Sequence, residues 1–232
     1  MTRYRITSAT DAVPGIRIFR LEPLGRPISF KPGQFAFLHI LDEKGGTVVK
    51  RPYSIASAPG ALYLEFCIKL VGGEMTKRLE DLAKGAVMGV EGGFGHFSYG
   101  DQPKAGFVGG GTGIAPLMAM LRHIADRKLD GAFVLFYSAR TKDSIVYREE
   151  LEELQRRNPA IKVVITLTRE ENPGDWKGEC GRLDAGMMAK HVRDARNFDW
   201  WVCGQLEMVE GIRECLTKLG ADQKRIRAEG WG

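Results

Sequence analysis

The sequence predicts two domains of different fold class: a β domain over residues 1–101 and an α/β domain with a doubly wound parallel sheet over residues 102–232. In the first half, turn signals recur between short β-rich runs, which is typical of a small barrel or sandwich. In the second half, apolar strands alternate with amphipathic helices, which is typical of a parallel sheet. The length of 232 residues fits two domains of about 100 to 130 residues each.

Two strands and one helix stand out in the first half. Residues 33–41 and 61–70 are β-rich runs that follow Pro-Gly turns. Met75, Leu79 and Leu82 recur with helical spacing just after a glycine pair, which predicts a single helix among the strands.

The second half shows a regular alternation. Strands are predicted at 105–108, 132–138, 162–168, 200–203 and 226–231. The helix after the first strand has an apolar face made of Ile114, Leu117, Met118, Leu121, Ile124 and Ala125. Asp143 or Ser144 is expected to cap the next helix, which carries Tyr147, Leu151 and Leu154. Gly220 is expected to end the last helix.

Composition excludes several classes of protein. The four cysteines lack C-x-x-C spacing and the four histidines share no ligand spacing, so we predict neither an iron–sulfur cluster nor a metal site. No apolar run approaches the roughly 20 residues that cross a bilayer, so no membrane insertion is expected. Residues 1–7 lack the apolar core of a signal peptide, which favours a cytoplasmic location.

The charge of the chain is mildly positive, with a formal net charge of +5 and a pI of about 9.0. This excess suits an acidic protein partner or a phosphate-bearing cofactor, although a solubilising surface without a partner explains it equally well. No basic helix or ladder of stacking aromatics accompanies it, so nucleic acid is not an expected partner.

Residues 51–54 read Arg-Pro-Tyr-Ser and suit a flavin. An isoalloxazine ring needs a flat apolar surface, hydrogen bonds to its nitrogens and cations for the attached phosphates. On a strand, Arg51 and Tyr53 share one face and Ser54 lies on the other. A strand with a buried tyrosine and a surface arginine has the same spacing, so four residues alone leave both interpretations open.

Residues 109–113 read Gly-Gly-Gly-Thr-Gly and suit a dinucleotide phosphate, because they lie between an apolar strand and a helix. A purely structural turn is the alternative. The next strand ends in Arg140 instead of the carboxylate common in NAD-specific folds. Arg169 and Arg182 also follow predicted strands or turns. Guanidinium groups suit a 2′-phosphate, so NADPH is favoured over NADH, with three solvated surface arginines as the alternative.

Taken in order, four motifs resemble the ferredoxin–NADP(+) reductase superfamily across nearly the whole chain. They are Arg51-Pro52-Tyr53-Ser54, Gly73-Glu74-Met75-Thr76, the segment from Gly110 to Pro116, and Cys203-Gly204. The resemblance implies an N-terminal six-stranded antiparallel β-barrel that binds FAD and a C-terminal α/β domain that binds NADP(H), or less readily NAD(H).

The resemblance also implies roles for individual residues at the flavin. Arg51, next to Pro52, would contact the pyrophosphate, Tyr53 would stack on the ring, and Ser54 would lie near its N5 atom. Further contacts to the pyrophosphate or to the ribityl and adenine arm are implied for Gly73, Met75, Thr76, His39 and Ile40.

At the nucleotide, the resemblance implies binding by Gly111, Thr112, Gly113, Pro116, Arg140, Arg169 and Arg182. Cys203 would lie near the nicotinamide C4, although Gln205 replaces the proline usual in the family. Glu229 resembles the C-terminal glutamate near the flavin. Trp231 would cover the ring or lie at a sheet edge. The implied catalytic set is therefore Tyr53, Ser54, Cys203 and Glu229.

The function expected first is hydride transfer between NAD(P)H and bound FAD, with electrons passed to a small acidic ferredoxin or flavodoxin. A flavin reductase that releases reduced flavin is one alternative. Others are an electron-transfer subunit of a larger oxygenase or dehydrogenase complex, and a non-catalytic flavin- or nucleotide-binding module. The acceptor, the direction of electron flow and the oligomeric state stay open.

Overall fold

A computed structural model describes residues 1–231 of the chain. The chain forms two compact units. The first comprises residues 1–100 together with the helical segment 118–123, and the second comprises residues 101–117 and 124 onward.

The first unit is a six-stranded antiparallel sheet. Its strands are β1 (Thr2–Val13), β2 (Ile16–Pro23), β3 (Phe35–Leu41), β4 (Thr47–Ser54), β5 (Leu64–Lys69) and β6 (Val87–Phe94). They are arranged in the order β4-β3-β6-β1-β2-β5. Ile55, directly after β4, bridges to Phe66 of β5, so the two edge strands meet and the sheet closes as a barrel does. The predicted antiparallel β domain is confirmed.

One helix, α1 (Glu74–Asp81), packs on this sheet through Met75 and Leu79. It ends one residue before Leu82, which has an extended conformation instead of a helical one. Alternate residues of the strands point inward and form a single apolar core, because side chains on a strand alternate between two faces. Its largest fully buried members are Tyr4, Phe19, Phe66, Ile6, Leu21 and Leu38.

The second unit is a parallel sheet with helices between its strands. The strands are β7 (Lys104–Gly110), β8 (Ala132–Ala139), β9 (Ile161–Leu167), β10 (Glu179–Cys180), β11 (Asp199–Gln205) and β12 (Ile226–Trp231). The helices are α2 (Ile114–Asp126), α3 (Arg148–Arg157), α4 (Ala185–His191) and α5 (Leu206–Lys218). The predicted α/β fold is confirmed.

The strand order β10-β9-β8-β7-β11-β12 places a topological switch point between β7 and β11. From β7 the chain proceeds to one edge of the sheet, and it then returns to the other side of β7 with β11 and β12. In open parallel sheets, ligands bind outside the carboxyl ends of the strands at such a point. The segments that follow β7 and β11 are therefore where a site is expected.

The start of α3 differs from the prediction. Thr141 and Ser144 cap one another around a short 3-10 turn, Lys142–Ser144, instead of starting the helix. The chain then buries Ile145 and Val146, and Tyr147 takes a left-handed conformation with φ of 60° before the helix begins. The apolar Ile145 and Val146 thus interrupt the helix because they are drawn into the core.

Candidate functional site

In the first unit, β4 presents the predicted flavin segment at the edge of the sheet. Arg51 lies opposite Leu38 and Tyr53 opposite Ala36, so both belong to the face that continues into the core. Arg51 is exposed, and its Nη1 donates to the neighbouring Lys50 carbonyl at 2.8 Å. Tyr53 is half-buried against the core, and burial raises the pKa of its hydroxyl, with Arg51 opposing.

The opposite face of β4 borders an aromatic cluster. Ser54 is half-buried and pairs with Phe35, and the exposed Pro52 pairs with Phe37. A proline is tolerated here because an edge strand has no neighbour on one side. The rings of Phe35, Phe37 and Phe94 lie 5.7 to 6.0 Å from one another. This cluster places apolar surface beside the Ser54 backbone.

Helix α1 lies against β4 and begins at Glu74, directly after the extended Gly73. Within the described part of the chain, no side chain caps the N-terminus of α1, and a Cβ on Gly73 would meet open space. Met75 is buried in the core, and the Thr76 hydroxyl donates to the Gly73 carbonyl at 3.1 Å. The backbone N–H groups of the first turn are therefore what this segment offers a phosphate.

His39 and Ile40, on β3, are both buried. Ile40 packs in the core, so its side chain points away from solvent. The His39 Nδ1 lies 3.0 Å from the Thr47 hydroxyl. Its Nε2 is buried, has no hydrogen-bond partner among residues 1–231, and lies 3.5 Å from a Glu91 carboxylate oxygen. Burial and the nearby Lys50 lower the pKa of His39, which favours a neutral ring.

These residues fit a flavin nucleotide. A half-buried aromatic ring, an exposed guanidinium and an uncapped helix N-terminus lie along one edge of the unit. The aromatic ring suits the apolar isoalloxazine, and the guanidinium suits the charged phosphates. The helix N-terminus also favours an anion.

In the second unit, the glycine turn closes against the backbone of β11. Residues Gly111–Gly113 form a 3-10 turn between β7 and α2. A Cβ on Gly113 would collide with the Cys203 carbonyl, and one on Gly110 with the Met208 sulfur. Gly111 has a φ of 54°, and its carbonyl accepts a hydrogen bond of 3.2 Å from the Tyr137 hydroxyl.

The remaining residues of the turn complete a surface suited to a dinucleotide. Thr112 is half-buried, and Pro116 is buried in the first turn of α2, where the absence of a proline N–H costs no helical bond. Glycines leave the turn without side chains, so a pyrophosphate can approach the backbone and the start of α2. The turn lies at the switch point and fits a nicotinamide dinucleotide.

Cys203, Gly109 and Glu229 lie side by side on adjacent strands. Cys203 is fully buried, and burial raises the pKa of its thiol far above the usual range. A thiol that stays protonated is a poor nucleophile, so covalent catalysis by Cys203 is not supported. Burial also raises the pKa of the half-buried Glu229.

Trp231 lies opposite Gln205 at the end of β12 and is 41% exposed. Leu206, also exposed, packs against Gly230, next to this tryptophan. The carboxyl end of β11 and β12 therefore carries apolar surface.

The three predicted arginines follow three neighbouring strands. Arg140 and Arg169 are exposed and adjacent, because the Arg169 N–H donates to the Arg140 carbonyl at 2.8 Å. Arg182 follows β10 and forms an exposed ion pair of 3.4 Å with Glu207. The structure thus brings Arg140 and Arg169 together, whereas Arg182 pairs with Glu207.

Sequence reasoning missed some residues of both units. The Glu170 carboxylate accepts a hydrogen bond from the Lys142 backbone at 2.9 Å, so an acidic group lies beside the arginines. Met208 contacts the glycine turn, and the Phe35 cluster borders Ser54. The spacing of Phe35 and Phe37 two residues apart signalled a shared face, whereas nothing in the sequence signalled Met208.

Two general properties of the chain bear on its chemistry. Within residues 1–231, every helix is too short or too polar to span a bilayer. All four cysteines are free thiols.

Family comparisons match both units. Residues 4–99 match the oxidoreductase FAD-binding domain, and residues 107–214 match the oxidoreductase NAD-binding domain. The flavohemoglobin-like FAD/NAD binding domain of nitric oxide dioxygenase from Vibrio cholerae O1 biovar El Tor has a TM-score of 0.88 at 18% identity, covering 100% of this chain and 98% of that one. That likeness concerns the fold alone.

Two curated relatives are more similar in sequence. The glycine betaine monooxygenase reductase subunit of Chromohalobacter salexigens is 32% identical over 210 residues, which are 88% of this chain and 56% of that protein. Ferredoxin--NADP reductase B of Sorangium cellulosum is 32% identical over 244 residues, which cover 97% of this chain and 95% of that protein. The chain thus spans little more than half of the first relative and nearly all of the second.

Proposed function

Because this chain belongs to the ferredoxin reductase-like superfamily of FAD- and NAD-binding oxidoreductases, we propose that it transfers hydride between NAD(P)H and bound FAD and passes electrons to a carrier protein. The proposed FAD domain is residues 1–101 and the proposed NAD(P) domain residues 102–232. The observation that carries the proposal is the glycine turn at the switch point, where Gly113 lies against the Cys203 carbonyl and leaves no room for a side chain.

The residues of the first unit hold and orient the flavin in this proposal. FAD, when bound, supplies a two-electron acceptor that can release electrons singly. Tyr53 provides the stacking surface, Arg51 neutralises the pyrophosphate, and the N-terminus of α1 donates backbone N–H groups to it. Ser54 offers its hydroxyl and backbone to the ring at N5. His39 is assigned to the ribityl or adenine arm.

The residues of the second unit orient the nicotinamide. The turn Gly111–Gly113 binds the pyrophosphate, and buried Cys203 shapes an apolar, neutral surface for the ring. The role of Cys203 is packing, because hydride transfer requires alignment and exclusion of water and needs no covalent bond to the protein. Glu229 lies opposite Cys203 on the neighbouring strand, and burial raises the pKa of its carboxyl, so we assign it as a group that can hold a proton beside Cys203.

We further propose that NADPH is preferred over NADH. The adjacent Arg140 and Arg169 offer two guanidinium groups to a 2′-phosphate dianion. Glu170 opposes this preference, because a carboxylate favours an unmodified ribose hydroxyl. The proposed preference for NADPH therefore requires that the two guanidinium groups outweigh the one carboxylate.

The proposed acceptor is a small acidic carrier of the ferredoxin or flavodoxin type, in the cytoplasm. The positive net charge of +5 favours encounter with such a partner. Free thiols are typical of a reducing compartment.

A second candidate is the reductase part of an oxygenase system. It is favoured by the similarity to the glycine betaine monooxygenase reductase subunit. In that case electrons would pass to an oxygenase or to a cluster-bearing segment instead of a separate flavodoxin.

One experiment separates the proposed carrier reductase from the flavin reductase alternative. The protein is loaded with FAD, desalted, and assayed with NADPH against ferredoxin, flavodoxin and free flavin. The proposal expects FAD to be retained and a carrier to be reduced faster than free flavin. Loss of FAD on desalting with rapid reduction of added flavin would instead identify a flavin reductase.

A further inference from the structure

A buried ionic network lies in the first unit and is formed by residues that are not themselves assigned to the flavin. Glu65 of β5 is fully buried. Its two carboxylate oxygens accept hydrogen bonds of 2.8 Å from Arg122 and from Arg20. A carboxylate taken out of water is costly unless it is paired and hydrogen-bonded, so this glutamate depends on its two arginines.

The two arginines differ in their surroundings. The Arg20 side chain is 47% exposed, and its guanidinium lies 4.9 Å from the centre of the Tyr63 ring. The Arg122 side chain, in the 118–123 segment, is only 8% exposed. Arg20 is thus accessible to water, whereas Arg122 is held inside the unit.

Arg122 also binds the chain that follows the flavin segment. The same Nη1 that pairs with Glu65 donates to the Ala56 carbonyl at 2.7 Å. The Ala56 N–H donates to the Glu65 carbonyl at 2.8 Å, and the Ser57 hydroxyl accepts from the Glu65 N–H at 3.1 Å. Both the N–H and the carbonyl of Ala56 are therefore hydrogen-bonded to the Glu65–Arg122 pair.

Ala56 is two residues beyond Ser54. Between them, Ile55 donates its N–H to the Gln34 carbonyl at 3.0 Å and forms the bridge to Phe66 that closes the sheet. Only Ile55 and two planar peptide units separate the Ala56 carbonyl from Ser54, so the position of this carbonyl constrains the path of the chain next to Ser54. Tyr53 is only one residue further along the same strand.

We propose that Arg122 and Glu65 position the flavin-binding segment by fixing the Ala56 carbonyl, and so act on FAD binding without touching the cofactor. The proposal rests on the assignment of Tyr53 and Ser54 to the flavin. Arginine suits this task because one planar guanidinium can hold a carboxylate and a carbonyl in fixed directions. Lysine at this position keeps the charge and loses the planar geometry.

The test compares FAD affinity and the visible circular dichroism of bound FAD in the wild type, Arg122→Met and Arg122→Lys. Arg122→Met should raise the FAD dissociation constant about tenfold and change the dichroism, because a buried charged hydrogen-bond donor is removed. Arg122→Lys should recover part of both effects. If Arg122→Met does not fold, Arg122→Lys is compared with the wild type instead. The FAD dissociation constant and the dichroism of bound FAD then decide whether Arg122 has the positioning role.

Two control variants separate positioning from general destabilisation. Ile6→Ala removes a fully buried side chain of β1, and Arg127→Met removes an exposed arginine that pairs with Asp101. Both should keep the FAD dissociation constant within about twofold, even where Ile6→Ala lowers the unfolding midpoint as much as Arg122→Met does.

The outcomes are distinct. A wild type that takes up no FAD overturns the proposed function and this inference with it. In a second outcome, the wild type binds FAD and the Arg122 variants have a lower unfolding midpoint but unchanged FAD affinity and dichroism. That outcome overturns the positioning role of Arg122 and leaves the proposed function standing. A raised dissociation constant that Ile6→Ala does not reproduce supports it.

Discussion

The two units make room for their proposed ligands in opposite ways. In the first unit, β4 presents side chains, a guanidinium and an aromatic ring, from an edge strand. In the second unit, the glycines of the turn carry no side chains, and the turn packs against the Cys203 backbone. A substitution on β4 therefore removes a group that would touch the ligand, whereas a substitution in the turn adds an obstruction. Obstruction should be the more damaging of the two.

The largest effect is expected from Gly113→Ala. Its added methyl group would collide with the Cys203 carbonyl, which is backbone and cannot rotate away. A displaced turn misplaces the nicotinamide, so the rate of flavin reduction by NADPH should fall about 100-fold. Stopped-flow absorbance of the FAD-loaded protein measures this rate.

Gly111→Ala is the matched control for that variant. A Cβ at Gly111 meets open space, and only the φ of 54° is unfavourable. We expect a decrease of about threefold or less, since a left-handed alanine costs about 1–2 kcal/mol of stability but leaves the turn unobstructed. Equal rates in the two alanine variants would contradict the steric role of Gly113.

A smaller effect is expected at the nucleotide's 2′-phosphate. Changing both Arg140 and Arg169 to serine should lower the ratio of kcat/KM for NADPH to that for NADH about thirtyfold, because two charged donors are removed. Arg182→Ser should change the ratio by less than about threefold, because the Glu207 carboxylate 3.4 Å away offsets the charge of Arg182. Steady-state kinetics with both nucleotides measure the ratio. A ratio unchanged in the double variant would remove the basis for NADPH preference.

Removing the stacking ring from the first unit should have a smaller effect again. Tyr53→Ala should weaken FAD binding about tenfold, while Tyr53→Phe should stay near the wild type because it keeps the ring. Fluorescence titration of the FAD-free protein measures both. If the two variants bind FAD equally, the ring does not stack on the flavin.

The smallest effect concerns the pH dependence of stability. Burial raises the pKa of Glu229 in the folded protein, so the folded state holds this proton more tightly than the unfolded state. The resulting stabilisation is full below the unfolded pKa and is lost as the pH rises through the folded pKa. Glu229→Gln should therefore reduce the fall in the urea unfolding midpoint as the pH rises above about 4.3, the usual glutamate pKa, at pH values below the usual thiol pKa of about 8.5.

The wild type and the Glu229→Gln variant are compared in the same buffers at each pH. A midpoint that falls equally in both proteins would show that Glu229 is not the group responsible. The same titration tests whether this carboxyl holds its proton above the usual pKa range of a glutamate.

Local signals accounted for most of the fold. Strand–helix alternation and the glycine turn depend on neighbouring residues, and they predicted the parallel sheet and the start of α2. The predicted start of α3 was wrong because burial of Ile145 and Val146 outweighed the capping signal at Ser144. The strand β10 and the helix α4 were not predicted, because their sequence has little periodicity.

Long-range contacts explain what the sequence did not predict at the site. Alternation on β4 predicted that Arg51 and Tyr53 share a face, and the register agrees. The pairing of Arg122 with Glu65 joins residues 57 positions apart, and no local pattern predicts such a pair. The same holds for Met208 against Gly110 and for Glu170 beside Arg140. The roles assigned to these residues stay predictions until they are tested.

The most direct test of hydride transfer is anaerobic stopped-flow reduction of the FAD-loaded protein with NADPH and with NADPH deuterated at C4. Direct transfer predicts that flavin absorbance bleaches in a single turnover, and that the deuterated nucleotide bleaches it several-fold more slowly. Flavin absorbance that persists in the presence of NADPH and of NADH would contradict it.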